Sequence, residues 1–397
     1  MKRTVVMIGL AVLALGVVAG LFGTGNDVLA QRGNGVGDCD DPFGDANIQF
    51  NVGFWDLTDF CQTNIDYNDV LSGGPPPDGI PPIDDPIYES IDAASNWLND
   101  ESPVIAVEVN GEARAYPLAV LTWHEIVNTD LGGEPISVTF CPLCNSAIVF
   151  DRNVDGDILD FGVSGNLRNS DLIMFDRQTE SWWQQFTGEG IVGVYTDTQL
   201  EILPSQVVGF AQFVAQFPES EVLSRETGHS RSYGANPYTG YDSTERPFLF
   251  RGDVDPRLQA TSRVLAGFVG GQSVAYPFGT LNEEIVINDV VDEREVVALW
   301  QPGSVSALDQ RSIDNSRDVG TAGLYSRVLE DGTVLTFSAN DDGQIVDDQT
   351  GSVWSPFGTA VEGELEGERL RQVVAGAHFW FAWAAFQPES IVYGMES

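Results

Sequence analysis

Apolar and polar residues alternate along much of the chain, a pattern that predicts β-strands rather than long helices. Residues 104–117 alternate on both sides of Asn110-Gly111, a dipeptide that favours a tight hairpin turn. Two further predicted strands, PISVTF at 135–140 and SAIVFD at 146–151, flank the tetrapeptide Cys-Pro-Leu-Cys. The pattern therefore predicts a fold built largely from hairpins.

Short helices interrupt the predicted strands. One is predicted over Leu118–Asn128 and a second over Gln206–Phe217. His378 is expected to begin an aromatic helix near the C terminus. The proline-rich stretch 73–86 fits neither a helix nor a central strand, so it predicts an extended arm on the surface. Together these elements predict an α+β, β-rich fold with short helices.

The pattern also repeats at an offset of 160 residues. SPVIAVEVNGEARAYP begins at Ser102 and SRVLAGFVGGQSVAYP begins at Ser262. This spacing predicts two related lobes, packed about a pseudo-twofold axis, because the period is too long for a solenoid. We assign repeat unit one to 73–220, a connector to 221–261, and a degenerate repeat unit two to 262–397.

The first thirty residues predict an export signal. Lys2 and Arg3 precede an apolar run over Val5–Leu21, and small residues at 28–30 suit a cleavage site. The alternative is an uncleaved anchor, because about 17 apolar residues are near the lower limit for spanning a bilayer. Both interpretations predict a protein that is secreted or held at the cell surface. Segment 31–72 is then expected to contain a Cys39–Cys61 disulfide.

The charge balance narrows the classes of partner. The chain has 59 acidic residues against 19 basic ones, a net charge of -40, and Lys2 is its only lysine. Such a surface repels nucleic acid and anionic membranes, so neither is an expected partner. It is typical of a protein adapted to concentrated salt, where screening over a few Å removes the self-repulsion.

The repeat singles out three candidate functional residues. In the sequence comparison, His124 falls against Glu283 or Glu284, Cys141 against Trp300, and Cys144 against Gly303 or its neighbour. All three groups are therefore missing from the second unit, whereas structural motifs such as Ala-Tyr-Pro remain. Their joint absence favours one site in the first unit.

Four interpretations of this site stay open. His124, Cys141 and Cys144 could bind copper or zinc, since thiolates with one imidazole suit both metals. The two cysteines could instead form a thiol redox pair. Cys141 could be the catalytic nucleophile of a transferase or hydrolase, with His124 as its base. Finally, the protein could be an extracellular binding or structural protein stabilised by disulfides. Whether the chain is an enzyme stays open.

Several long motifs give the chain a family resemblance. In order, they are GGPPPDGIPPIDDP, NGEARAYPL, WHEIVN, VTFCPLCNSAIVFDR, SGNLRNSDLIMFDRQTESWWQQFTGE and NPYTGYD. From about Gly73 to the C terminus the chain resembles domain-of-unknown-function family 3179. The resemblance implies an exported prokaryotic protein and brings no activity with it. It implies that His124 and Cys141 match family motif positions, whereas some relatives have threonine at the position of Cys144.

Overall fold

The computed structural model describes residues 39–395, so the predicted export signal at 1–30 lies outside the described residues. Strands dominate this part of the chain, and its five α-helices are no longer than seven residues. The helices are α1 (Ile91–Ala94), α2 (Leu118–His124), α3 (Phe210–Gln216), α4 (Phe278–Glu284) and α5 (Trp380–Phe386). Single 3₁₀ turns occur at Val52–Phe54, Tyr67–Asp69, Tyr241–Ser243 and Ile313–Asn315. The prediction of a β-rich fold with short helices is confirmed.

The strands fall into two groups along the chain, separated by residues 224–262, so that β16 takes up the first three residues of the predicted connector. The first group is β1 (Val70–Ser72), β2 (Tyr88–Ser90), β3 (Pro103–Val109), β4 (Glu112–Pro117), β5 (Ile126–Leu131), β6 (Glu134–Cys141), β7 (Ser146–Asp151), β8 (Asn153–Val154), β9 (Asp157–Ile158), β10 (Phe161–Arg168), β11 (Asp171–Asp176), β12 (Trp182–Gln184), β13 (Glu189–Val192), β14 (Ile202–Leu203), β15 (Ser205–Gly209) and β16 (Glu221–Leu223). The second group is β17 (Arg263–Val269), β18 (Gln272–Pro277), β19 (Val286–Val291), β20 (Arg294–Gln301), β21 (Thr321–Ser326), β22 (Phe337–Ala339), β23 (Ile345–Asp347), β24 (Val353–Trp354), β25 (Ala360–Glu362), β26 (Ala375–Phe379) and β27 (Ile391–Val392).

Local turn chemistry explains the predicted hairpin. Strands β3 and β4 pair antiparallel around Asn110 and Gly111, whose φ angles are +51° and +82°. Two successive positive φ angles define the turn type that matches the twist of the flanking strands, and Asn-Gly tolerates them best. The strands predicted at 135–140 and 146–151 are confirmed as parts of β6 and β7.

Strand order is similar in the two halves. One sheet of the first half has the order β15-β3-β4-β16-β2, and one sheet of the second half has the order β26-β17-β18-β27. Val104 pairs with Pro117 in the first, and Val264 pairs with Pro277 in the second, so both hairpins keep one register at the 160-residue offset. The order β14-β7-β6-β5 is likewise partly matched by β19-β20-β21.

Three predicted helix boundaries are wrong. Helix α2 ends at His124 because Glu125 has a φ of +61°, and β5 begins at Ile126. Residues 205–209 form strand β15, which pairs with β3 over residues 103–107. The second helix therefore starts only at Phe210. His378 belongs to β26, and helix α5 follows it. In the last two cases, long-range strand pairing outweighs local helix propensity.

A turn with identical bonding stabilises both halves. Asp176 accepts hydrogen bonds from the backbone N of Thr179 at 2.7 Å and from Nε1 of Trp183 at 3.0 Å. Asp347 accepts the same pair of bonds from Thr350 at 2.6 Å and Trp354 at 3.0 Å. Each bond satisfies a donor that burial would otherwise leave without water. This recurrence supports a structural role for the motif.

The N-terminal segment and the proline-rich arm pack on the first half. The predicted Cys39–Cys61 disulfide is present, and Phe50 and Phe60 pack edge-on against the buried ring of Trp182. Within the arm, Ile83 forms an isolated parallel bridge with Val127. The arm thus runs alongside β5, close to the end of α2.

The main hydrophobic core extends across both halves. Ile105 and Phe140 from the first half share one buried cluster with Val264, Phe379 and Trp380 from the second. Burying an aromatic side chain of this size contributes about 2–3 kcal/mol relative to leaving it in water. Within residues 39–395, no helix has the length and apolar character needed to cross a bilayer.

Replacing Asp176 with asparagine should lower the free energy of unfolding by about 2 kcal/mol, because the amide group loses the charge-assisted bonds from Thr179 and Trp183. Urea unfolding monitored by tryptophan fluorescence measures the change. The control is Asp341→Asn on an exposed loop, which should leave stability unchanged. Equal stability of both variants would contradict the structural role of the turn.

Candidate metal centre

The two cysteines of the Cys-Pro-Leu-Cys motif lie at the tip of the β6–β7 hairpin. Cys141 is the last residue of β6 and pairs with Ser146, the first residue of β7. Asn145 has a φ of +49°, and its backbone N bonds to the carbonyl of Pro142 at 3.3 Å. The turn brings Cys141 and Cys144 together as two free, buried thiols.

Asp171 completes a cluster with these thiols. One carboxylate oxygen and the two Sγ atoms all lie within 4.8 Å of one another, and all three residues are buried. Oδ2 accepts hydrogen bonds from Nε2 of Gln184 at 2.7 Å and from the backbone N of Phe186 at 2.9 Å. Within the described residues, Oδ1 has no donor from nitrogen or oxygen. One side of the buried carboxylate is thus held by Gln184 and Phe186, and the two thiols are weak hydrogen-bond donors to it.

The carbonyl of Ser170 is another polar neighbour of the thiols. It lies 3.5 Å from Sγ of Cys144 and 4.0 Å from Sγ of Cys141, distances at which a thiol donates a weak hydrogen bond. Ser170 directly precedes Asp171, so the turn before β11 supplies both groups. This turn and the cysteine turn therefore meet face to face.

Burial makes ionisation costly throughout the cluster. It raises the pKa values of both thiols, and the nearby acidic groups add to the effect. Burial also raises the pKa of Asp171 to about 6, although its hydrogen bonds from Gln184 and Phe186 oppose the shift. The pKa of Glu125, next to His124, is raised to about 8, first by burial and then by the charge of Asp171. A bound cation would offset this burial of acidic groups.

His124 lies at the end of α2 and is not a member of the Cys141–Cys144–Asp171 cluster. Its Nδ1 is 2.6 Å from the carbonyl of Pro81, and its Nε2 is 2.7 Å from the hydroxyl of Tyr233. Because a carbonyl only accepts, the neutral ring donates from Nδ1 and accepts at Nε2. Burial lowers the pKa of His124 to about 4, so the ring is neutral at pH 7.

A backbone hydrogen bond joins the residue after His124 to the residue before Cys141. The carbonyl of Glu125 accepts a hydrogen bond from the backbone N of Phe140 at 2.8 Å. In the second half, Ile285 accepts the equivalent bond from Trp300 at 2.9 Å. By this register Trp300 matches Phe140, so Gln301 rather than Trp300 is the counterpart of Cys141. The sequence comparison was therefore wrong by one position, but the counterpart still lacks a thiol.

Two tyrosines of the connector pack against the hydrophobic core that contains both thiols. Tyr238 and Tyr241 of the motif NPYTGYD are partly buried, and burial raises the pKa values of both phenols. The acidic groups at Glu125 and Cys141 add to the shift at Tyr238, and Cys144 adds to the shift at Tyr241. The two tyrosines and the thiols thus belong to one packed core.

Strand β26 supports the cysteine turn from the second half. The backbone N of Phe379 donates to the carbonyl of Cys144 at 2.9 Å, and Nδ2 of Asn145 donates to the carbonyl of Ala377 at 3.2 Å. Between them on this strand, the buried ring of His378 stacks on Trp383 with ring centroids 5.9 Å apart. The site in the first half thus depends on backbone contacts from the second.

Sequence reasoning identified the cysteines but missed Asp171, Glu125 and the two connector tyrosines. Asp171 could have been noticed as an acidic residue at the start of the apolar run LIMF, directly after the Asn169-Ser170 turn. The involvement of the tyrosines has no such local signal, because NPYTGYD also has the pattern of an ordinary turn: Oδ1 of Asn236 accepts from the backbone N of Tyr238 at 2.7 Å.

The fold and site together define a β-rich protein with a buried cluster of two thiols and a carboxylate. The chain belongs to the family described as "Protein of unknown function (DUF3179)", whose model matches residues 77–390. This match confirms the resemblance seen in the sequence motifs. Neither the curated proteins nor the solved structures contain a match to the chain.

Replacing His378 with phenylalanine should make the protein more resistant to acid. Burial lowers the pKa of His378 to about 3, whereas an unfolded histidine titrates near about 6.5. The unfolded state therefore binds more protons between these values, and stability falls as the pH drops through this range. Between pH 7 and about pH 4.5, protonation of His378 should lower the free energy of unfolding of the native chain by about 2–3 kcal/mol. The variant should not show this loss.

Urea unfolding at the two pH values measures this difference for the native chain and for His378→Phe. The control is Val361→Ala, because Val361 is exposed and has no titratable group, so its replacement should leave the acid sensitivity unchanged. An unchanged pH dependence in His378→Phe would show that His378 does not titrate as a buried group.

Proposed function

We propose that the protein binds a thiophilic metal ion at Cys141, Cys144 and Asp171. The observation that carries the proposal is the buried grouping of two free thiols with a carboxylate whose Oδ1 has no nitrogen or oxygen donor in the described part of the chain. The thiols are weak donors to this carboxylate, so part of the cost of burying it stays uncompensated. Coordination of a cation offsets that cost and stabilises the deprotonated thiols.

Charge and ligand type favour zinc over copper(I) at this site. Thiolate ligands suit both Zn²⁺ and Cu⁺. With three anionic ligands, Zn²⁺ leaves one net negative charge, whereas Cu⁺ leaves two, and burial penalises the larger charge. Three protein ligands also leave the fourth position of a tetrahedral zinc site open. We propose zinc as the preferred ion, with copper(I) as the alternative.

This ligand set differs from the one expected from the sequence. Asp171 replaces His124 because both ring nitrogens of His124 already have partners in Pro81 and Tyr233. Coordination by His124 would require Tyr233 to leave Nε2. In our proposal His124 instead positions the arm and the connector around the site.

A thiol redox pair is the second candidate, because Cys141 and Cys144 lie close together as free thiols. Oxidation would join them and release two protons and two electrons to an oxidant. The raised thiol pKa values slow this step, since only the thiolate attacks. The same shifts, and the engaged ring of His124, disfavour a Cys141 nucleophile. An extracellular protein in which all cysteines are disulfides is the remaining rival.

Elemental analysis of the purified protein should give about one zinc per chain, as a three-ligand zinc site requires. Competition with a chromophoric chelator should show at least a roughly tenfold loss of affinity in Cys141→Ser and Cys144→Ser, and a clear loss in Asp171→Asn. The matched control is Asp176→Asn, which changes a buried carboxylate of the same strand whose oxygens are already bonded. It should keep the zinc.

Three outcomes separate the rivals. Copper(I) bound in place of zinc would keep the site and change the metal. Two free thiols without any metal, convertible to a disulfide, would favour the redox pair. No reactive thiol after denaturation would support the disulfide-stabilised protein and contradict the metal site. Retention of zinc in all three ligand variants would also contradict the proposal.

We further propose that the two halves arose from one duplicated unit and pack about a pseudo-twofold axis. The shared hairpin register and the recurring Asp-Thr-Trp turn support this origin. The first half then kept the chemistry, while the second became its structural support through β26.

Export and salt adaptation are also part of the proposed function. The N-terminal residues support secretion or attachment at the cell surface, and the net charge of -40 supports function in concentrated salt. Neither nucleic acid nor an anionic membrane is a proposed partner, because both would be repelled.

Salt should stabilise the protein strongly. Raising KCl from about 0.2 M to about 2 M shortens the screening length to a few Å and reduces the mutual repulsion of the carboxylates. We expect the free energy of unfolding to rise by several kcal/mol, measured by urea titration at each salt concentration. Sucrose at equal osmolality is the control, since it does not screen charge. A stability independent of KCl would contradict the salt adaptation.

A further inference from the structure

A cavity lies on the other side of His124 from the arm, next to Tyr233. Its volume is about 600 Å³, within the range of small-ligand sites. Three parts of the chain line it: Trp97 and Ala119 from the first half, Arg225 and Tyr233 from the connector, and Arg311 with its neighbours from the second half. No residue of the proposed metal site lines this cavity.

The charge of the cavity is opposite to that of the protein. Arg225 and Arg311 contribute two positive charges, and neither forms an ion pair with a carboxylate within residues 39–395. The only acidic lining residue is Asp314, whose Oδ1 accepts a hydrogen bond from Oγ of Ser102 at 3.0 Å. In a chain with 59 acidic residues, a cavity lined by two arginines and one aspartate has an unusual excess of positive charge.

The cavity walls are held in place by backbone bonds. The backbone N of Asn236 donates to the carbonyl of Arg311 at 2.8 Å, and Ile313 donates to Gly234 at 3.0 Å. Nε1 of Trp123 donates to the carbonyl of Ala235 at 3.1 Å. The connector and the loop of the second half are thus fixed to each other and to α2 before any ligand arrives. Such preorganisation reduces the ordering cost of binding.

Two side chains at the cavity are oriented as well. The guanidinium of Arg225 lies over the ring of Trp97, 4.6 Å from its centroid, an arrangement that fixes the plane of its hydrogen-bond donors. The hydroxyl of Tyr233 is held between Nε2 of His124 at 2.7 Å and Oγ1 of Thr227 at 2.5 Å. Arginine forks bind carboxylate and phosphate groups through two parallel bonds.

We propose that this cavity binds a small organic oxyanion, a carboxylate or a phosphate ester, through Arg225 and Arg311. The net charge of the protein repels anions in general, so the site selects a ligand that fits the cavity and reaches both guanidinium groups. The fixed rings of Trp97 and Tyr233 supply an apolar wall for the rest of the ligand. The proposal is independent of the metal site.

Isothermal titration calorimetry with benzoate and with phenyl phosphate tests this site, at constant chloride concentration so that anion competition is fixed. Benzyl alcohol is the neutral probe of matched shape and should not bind. Arg225→Gln and Arg311→Gln should each lower the affinity for the anion at least about fivefold, a typical loss for one charge-assisted bond. Arg225→Lys should recover only part of the affinity, because lysine lacks the fork.

The control variant is Arg246→Gln, which removes another exposed arginine without an ion pair, outside this cavity. It should bind like the native chain, and circular dichroism should show that all variants are folded. Preference for benzoate would assign a carboxylate ligand, and preference for phenyl phosphate would assign a phosphate ester. Absence of saturable binding by both anions, or an equal loss in Arg246→Gln, would overturn the proposal.

Discussion

The backbone hydrogen bond from Phe379 to the carbonyl of Cys144 is the contact on which the arrangement of the site depends. Within the cysteine turn, the backbone N of Asn145 bonds to the carbonyl of Pro142, and Cys141 pairs with Ser146 at the base of the turn. Strand β26 of the second half fixes the turn from outside, and the same strand pairs with β17 within its own sheet. The turn that carries Cys144 is therefore also held by a sheet to which neither cysteine belongs. This contact gives the second half a structural role at the site, although that half contains no cysteine.

The sequence predicted the elements of the fold that depend on interactions between residues close together in the chain. The Asn110-Gly111 turn and the alternating residues beside it specify one hairpin, because two positive φ angles suit few other dipeptides. The segment 205–209 was misjudged for the opposite reason. Its amphipathic pattern resembles a helix, but pairing with β3, about a hundred residues earlier in the chain, satisfies its backbone groups as a strand. No window of local sequence contains that partner.

The candidate site was likewise predictable only where its residues are close together in the sequence. Cys141 and Cys144 are close in sequence, so their spacing alone indicated a shared role. Asp171 joins them only because β10 and β11 return the chain to the cysteine turn. His124 was expected among the ligands, yet its two ring nitrogens contact Pro81 and Tyr233. Sequence spacing could not show these partners, since Pro81 lies about 43 residues before His124 and Tyr233 about 109 residues after His124.

The burial of the two thiols has a kinetic consequence. Cys141 is 2% exposed and Cys144 is fully enclosed, so an ion or reagent reaches them only when the surrounding structure opens locally. The free-energy cost of that opening is separate from the affinity of the site. Two proteins with identical ligand residues but different surrounding segments would therefore release the same ion at different rates.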